Sequence, residues 1–225
     1  MPLKKEDVTE EVVYYGDGQI KEKRTCLNKK LEGEYTSYYT NGQILVRMHF
    51  HEGLRHGEAV AYYRDGQIKE KGTFIKDKLD GEYVCFYESG QMREKENYVN
   101  GKLDGEYILY FRNGRIKDRE TFKNGKFHGE YISYYKDGQI REKGCFQDDK
   151  RDGEFTSYYR SGRMKEQAAY VKGKLKGPFM TFPEKDAAAE IVDDEEMTSL
   201  FYDGDDIDHK AYDDILKNLG DFDKK

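Results

Sequence analysis

"GEYTSYYTNGQI", residues 33–44, returns in altered copies as "GEYVCFYESGQM" (81–92), "GEYISYYKDGQI" (129–140) and "GEFTSYYRSGRM" (153–164). Each copy places a β-prone aromatic run before a Gly-containing dipeptide. Outward from these copies glycine keeps a strict beat. Gly18, Gly42, Gly66, Gly90, Gly114, Gly138 and Gly162 lie 24 residues apart, and so do Gly33, Gly57, Gly81, Gly105, Gly129, Gly153 and Gly177. A third series, Gly53, Gly101, Gly125 and Gly173, shares the lattice, with Lys29, Asp77 and Asp149 in its gaps. Eighteen of the 23 glycines fall on these three positions, so the chain is a repeat protein with a 24-residue unit and no insertions.

The unit reads as a β-hairpin. Two β-prone runs flank Asn-Gly, Asp-Gly or Ser-Gly, strong short-range hairpin signals. In residues 57–80 a two-residue Asp65-Gly66 turn sets Arg64 against Gln67, Tyr63 against Ile68, Ala61 against Glu70 and Ala59 against Gly72. A second reversal follows in "IKDKLDGE". Alternation along a strand sorts side chains onto two faces. One face takes Tyr35, Tyr39, Ile44 and Phe50, with a small residue such as Ser37 between them. The other takes Tyr38, Tyr62, Phe86, Tyr110, Tyr134 and Tyr158. This assignment assumes the two-residue loop; a three-residue loop with a bulge shifts it.

Hairpins are marginal alone, so copies must stack edge to edge. The expected fold is an all-β repeat: an elongated single-layer antiparallel sheet of about seven hairpins plus a capping strand, about 15 strands in all. Residues 1–8 precede the repeats, 9–185 carry them, 186–204 form an acidic linker and 205–225 an acidic amphipathic helical tail. Thr9-Glu10-Glu11 replaces the usual G-E-Y at the first strand, and Pro178 and Pro183 flank the last, as protected sheet edges require. In the tail, Ile207, Ala211, Ile215 and Leu219 recur at helical spacing, with acids in the first turn and Gly220 at the C-cap position.

Composition agrees with a thin structure. Charged residues are 37%, mean hydropathy is −1.04 and aromatics are 14%. Residues 186–225 carry −10 of the net −6, which leaves the body at +4. That is too little concentrated charge for a phosphate backbone, so nucleic acid is not the expected partner. Cys26, Cys85 and Cys145 have no CxxC spacing and read as free thiols of a reducing, cytoplasmic setting. The N-terminus "MPLKKEDVTEEVV" lacks an apolar signal core.

The consensus K-L-x-G-E-Y-x-x-Y-Y-x-x-G-Q-I-x-x-K-x-x-F over residues 9–185 resembles the MORN repeat family. It is most similar to the bacterial MORN-variant repeats of YwqK-type antitoxin proteins. The resemblance implies a single-layer sheet used for scaffolding, contact with acidic phospholipid in some members, and antitoxin or immunity roles in YwqK-type relatives.

No catalytic constellation is visible. No nucleophile is joined to a fixed base, and the glycines belong to turns rather than to a phosphate loop. His49 and His51 share a strand face without a third ligand, and His56 and His128 occupy the turn position held elsewhere by Asp80, Asp104 and Asp152. The tail string "DGDDIDHKAYDD" lacks the glycine and the ligand positions of a calcium loop. No metal and no cofactor are expected.

The second strands carry basic–acidic–basic runs: "KEK" (21–23, 69–71), "REK" (93–95, 141–143) and "KDR" (117–119). Read by alternation, each basic pair shares the tyrosine face and the acid points away. The candidate partner-binding face therefore combines Tyr38, Tyr62, Phe86, Tyr110, Tyr134 and Tyr158 with Lys69, Lys71, Arg93, Lys95, Lys117, Arg119, Arg141 and Lys143. The bland reading is a solvated face whose lysine stems cover rings, balanced by neighbours of the Glu58 type. "QILVRMHF" (43–50) departs from the pattern and implies either an exposed apolar patch or something that covers it. The expected function is a non-enzymatic protein-binding scaffold in an antitoxin or immunity setting, with a toxin as one class of partner. The alternative is an adaptor on acidic phospholipid. The tail is expected to meet its own sheet or a partner through Ile207, Ala211, Ile215 and Leu219.

Overall fold

The computed structural model describes residues 7–184. They form one open antiparallel sheet of 19 strand segments, with no helix among the described residues. Chain neighbours pair in order. Val8–Tyr14 pairs with Ile20–Leu27, that strand with Lys30–Tyr38, and so on to Met180–Thr181. Segments such as Lys78–Leu79 and Gly81–Phe86 are two parts of one strand, both paired with Ile68–Ile75. Such splits account for the excess over the expected strand number. The tail residues Ile207, Ala211, Ile215 and Leu219 lie outside the described residues.

The turn at Asp65-Gly66 is longer than the two-residue loop expected of it. At Asp65-Gly66 the Gly66 amide donates to the Tyr63 carbonyl (2.9 Å) and the Tyr63 amide to Gln67 (2.8 Å). The loop therefore holds three residues, Arg64, Asp65 and Gly66, and Gly66 takes the left-handed position at φ 89°. The two-residue turns lie at the other reversal. Asn100 and Gly101 have φ of 51° and 78°, the pair of positive values a type I′ turn needs.

A second deviation follows each three-residue turn. Ala61 pairs with Glu70 and Ala59 with Gly72, as expected, but Ile68 pairs with Tyr62 rather than Tyr63. Lys69 is the extra residue of a β-bulge. Leu45, Arg93, Lys117 and Arg141 occupy the same place in their repeats. The longer loop shifts the register by one residue and the bulge shifts it back, so the strand beyond is in the expected register. Ile44 and its equivalents are corrected by this: they pair with Tyr38 and its equivalents, not with the Tyr35 face.

One face is the core. Tyr35, Tyr83, Tyr107 and Phe155 are buried there, edge to face with Phe50, Tyr98, Phe122 and Tyr170 at centroid distances of 5.6–6.1 Å. Gly72 and Gly144 make room for these rings: a Cβ on Gly72 would sit 2.7 Å from the Tyr83 ring, and one on Gly144 would overlap Phe155. Val46 and Met48, from the divergent stretch 43–50, are fully buried in this core. That stretch is covered by its own sheet and presents no exposed patch through these two side chains.

The same face carries a row of carboxylates. Glu22, Glu70 and Glu94 stand opposite Ser37, Cys85 and Leu109, and Asp118 and Glu142 opposite Ser133 and Ser157. Tyrosine hydroxyls donate to them, Tyr83 to Glu70 (2.7 Å) and Tyr107 to Glu94 (3.1 Å). Glu96, beside this row, is 1% exposed, and Glu70 Oε1 and Glu96 Oε2 have no hydrogen-bond partner. Burial pushes the Glu96 carboxyl up to about 7, with repulsion from Glu94 adding to it.

Both edges of the stack are bolted from repeat to repeat. Tyr15, Tyr39, Tyr63, Tyr87 and Tyr135 donate to the carbonyls of Tyr38, Tyr62, Phe86, Tyr110 and Tyr158 at 2.6–2.8 Å. Phe111 holds the equivalent place without a hydroxyl. Phe111→Tyr is expected to stabilise the sheet by about 1 kcal/mol through a bond to the Tyr134 carbonyl. An unchanged melting temperature would show that the missing bolt costs nothing. At the opposite edge Asp80, Asp104 and Asp152 accept from the amides of Asn100, Asn124 and Lys172. His56 and His128 carry no carboxylate at that position. In their repeats the turn residues Asp77 and Asp149 reach back to the amides of Arg55 and Phe127 instead (both 2.9 Å). The lattice glycine is replaced by aspartate where the clasp must come from the turn.

Candidate binding face

The outer face is ordered as parallel rows. One row runs from Val12 to Met180 by register alone. It reads Val12, Lys23, Thr36, Arg47, Val60, Lys71, Val84, Lys95, Ile108, Arg119, Ile132, Lys143, Thr156, Gln167 and Met180. First strands supply β-branched side chains and second strands cations, because only the position two residues beyond the bulge places a lysine or arginine on this face. Val60, Val84, Ile108 and Thr156 are buried, and Lys71, Arg119 and Lys143 are exposed. The cation stems thus cover the aliphatic groups between them while their heads stay in water.

The aromatic row lies alongside. Tyr38, Tyr62, Phe86, Tyr110, Tyr134 and Tyr158 are all half-buried. The Lys23 ammonium sits 5.9 Å from the Tyr38 ring centre and that of Lys143 5.8 Å from Tyr158. On the other flank Glu10, Glu34, Glu58, Glu82, Glu106, Glu130 and Glu154 recur every 24 residues. Lys95 pairs with Glu82 (2.7 Å) and Arg119 with Glu106 (2.9 Å). Hollows in this face are lined by Glu58, Lys71, Thr73, Glu82 and Val84 in one place and by Val12, Lys23, Thr36 and Tyr38 in another.

The basic pairs do not stay together. Lys71, Lys95, Arg119 and Lys143 are on the outer face. Their partners Lys69, Arg93, Lys117 and Arg141 are the bulge residues, and a bulge re-aims its extra side chain. Arg93 reaches Glu94 (3.3 Å) and Arg141 reaches Ser133 (3.3 Å), both on the carboxylate row of the core face. The expectation that each pair shares the tyrosine face is corrected here. Alternation assumes one residue per ladder step, and the bulge spends two. The glutamate row is legible in the sequence as the residue after each glycine of the Gly33 series, from Glu34 to Glu154, with Glu10 after Thr9.

A family model described as the MORN repeat variant matches six consecutive stretches: residues 31–52, 55–76, 79–100, 103–124, 127–148 and 151–172. Each begins just after one type I′ turn and ends at the first residue of the next, so the matched unit is the hairpin seen in the structure. No curated protein matches the chain.

Proposed function

Because the chain belongs to the MORN repeat family, in its variant form, and is a repeat-based binding scaffold, we propose that its outer face binds a protein. The observation that carries this reading is the row of alternating β-branched residues and cations, unbroken from Val12 to Thr156, bordered by half-buried rings on one flank and by glutamates on the other. A protein surface offers both charges and apolar groups to such a pattern. An anionic bilayer favours unpaired cations, and here Lys95 and Arg119 are already paired with Glu82 and Glu106. The setting proposed is cytosolic neutralisation of a toxin by an immunity or antitoxin protein, and it rests on the resemblance of the unit to YwqK-type repeats.

The test is a charge reversal of Lys71, Lys95 and Arg119 to glutamate in the full chain. A stoichiometric protein partner isolated with the parent chain should lose at least about ten-fold in affinity, while the melting temperature stays within a few degrees, since exposed pairs contribute roughly 0–1 kcal/mol each. Undiminished binding by the variant would remove the outer face as the site. Salt-resistant sedimentation of the parent chain with phosphatidylserine vesicles, but not with neutral ones, would replace the protein by a membrane.

A further inference from the structure

Three of the five histidines fall in one short stretch, His49, His51 and His56. Sequence leaves them as a pair on one strand and a separate turn residue. The fold joins two of them differently. His51 closes one strand and His56 lies on the next, across the turn at Glu52-Gly53, and their rings meet with centres 5.9 Å apart and planes at 73°. Glu32, from the preceding repeat, completes the group: its Oε1 lies 2.9 Å from His51 Nδ1, and its Oε2 accepts from the Glu52 amide at 2.8 Å. An ionised carboxylate only accepts, so in neutral His51 the proton is on Nδ1 and the free lone pair is on Nε2. That is the arrangement in which an outer carboxylate orients a metal-binding imidazole.

From this juxtaposition we propose that His51 and His56 bind a borderline divalent transition ion of the zinc or copper class, with Glu32 as the positioning residue and water filling the remaining coordination. The spacing fits. Metal–nitrogen bonds of about 2.0–2.1 Å to two imidazoles place the ring centres roughly 5 to 6 Å apart, depending on the angle at the metal. Imidazole nitrogen suits zinc, copper and nickel and does not suit magnesium or calcium. Among the described residues no three or more histidine, cysteine or acidic side chains are placed to hold a metal ion together. The site is therefore an open two-imidazole site at the sheet edge, not a structural one. The sister repeats carry Asp80, Asp104 and Asp152 at the position of His56, so the stack has one such site among its described repeats, apart from His128, which faces Asp148 rather than a second imidazole.

The experiment uses the full chain carrying Cys145→Ser, because Cys145 is an exposed thiol that competes for the same ions. Zinc chloride is titrated calorimetrically, and substoichiometric copper(II) is followed through broadening of histidine ring protons. One saturable equivalent of zinc is expected, with early broadening of His51 and His56. His51→Ala and His56→Ala should each lower affinity by about ten-fold or more, and Glu32→Gln by a similar factor, the usual cost of losing an orienting carboxylate. His128→Ala should change nothing. Because His51 and His56 are exposed, their alanine variants should keep the parent's melting temperature to within a few degrees. Zinc binding unaffected by both His51→Ala and His56→Ala, or no saturable zinc uptake at all, would overturn the proposal.

Discussion

Acidifying the protein from pH 8 to pH 5 is expected to raise its melting temperature by about 5–10 °C, and Glu96→Gln should remove much of that rise. The cause is the buried carboxylate. Glu96 is 1% exposed, and its carboxyl is pushed up to about 7 by burial, with Glu94 and Glu70 repelling the charge and the Tyr98 hydroxyl and Arg93 opposing the shift. In the unfolded chain it titrates at about 4.3. Between these values the folded protein holds a proton that the unfolded chain has released. Stability from this group is complete below the unfolded value and is lost as pH rises to about 7. The full difference corresponds to about 3–4 kcal/mol, of which about 2–3 kcal/mol falls between pH 5 and pH 8. Glu120, half-buried and pushed up to about 8 by burial and then by Asp118, acts in the same direction over a slightly higher window. The exposed pair Glu32–His51 adds to the trend through His51, whose affinity for protons is raised first by its hydrogen bond to Glu32. A melting temperature flat from pH 5 to pH 8 would mean that water reaches these carboxylates in the folded state. Glu96→Gln should also be more stable than the parent at pH 8, because the neutral amide fills the site without a buried charge.

Met48→Ala is expected to cost about 2–5 kcal/mol, and to loosen one end of the stack rather than all of it. Met48 is the largest of the fully buried side chains. It stands in register between Tyr35 and Ala59, at the junction of two hairpins. Ala59 and Ala61 are too small to close over the space that truncation leaves. In a linear stack stability is a sum of repeat terms and neighbour terms, so a weakened junction separates the strands before it from those after it. Hydrogen exchange should show amides in residues 8–38 opening at lower cost, with residues 92–171 close to the parent. Ile75→Ala is the control. Ile75 is 44% exposed, and its truncation should cost well under 1 kcal/mol. Uniform loosening along the whole sheet after Met48→Ala would show that the repeats unfold as one unit.

Much of the fold is written in the chain. Glycine at fixed steps of 24 marks the reversals, and all 18 lattice glycines adopt positive φ in the structure. Glycine takes that conformation at little cost, so its spacing reports backbone geometry directly. Opposition of Ala61 to Glu70 and of Ala59 to Gly72 was also legible, although for an incomplete reason. The three-residue loop and the bulge at Lys69 each shift the register by one, in opposite senses. A two-residue loop with no bulge predicts the same pairing beyond them. Where the two shifts do not cancel, between the turn and the bulge, Ile68 stands opposite Tyr62 instead of the Tyr63 that a two-residue loop implies.

The candidate site was legible in its periodic parts. The six aromatics and the cations Lys71, Lys95, Arg119 and Lys143 lie together on the outer face as their spacing implies. Arg93 and Arg141 do not, because a bulge is a property of the ladder between two strands and leaves no mark in the alternation of either one. Met48 and Val46 read as a break in the charge pattern, and only the packed face showed that they fill the core.

By itself the sequence determined the unit, its length, the places where the chain reverses and the pairing of side chains beyond each bulge. These follow from local backbone preference and from a period of two, both readable within one chain segment. Tertiary structure alone decided which charges face each other across repeats: carboxylates shut beneath tyrosine hydroxyls, arginines turned inward at bulges, and two imidazoles and a carboxylate from neighbouring repeats gathered at one edge. Those contacts depend on the stacking of one hairpin on the next, and neither hairpin's own sequence encodes the distance between them.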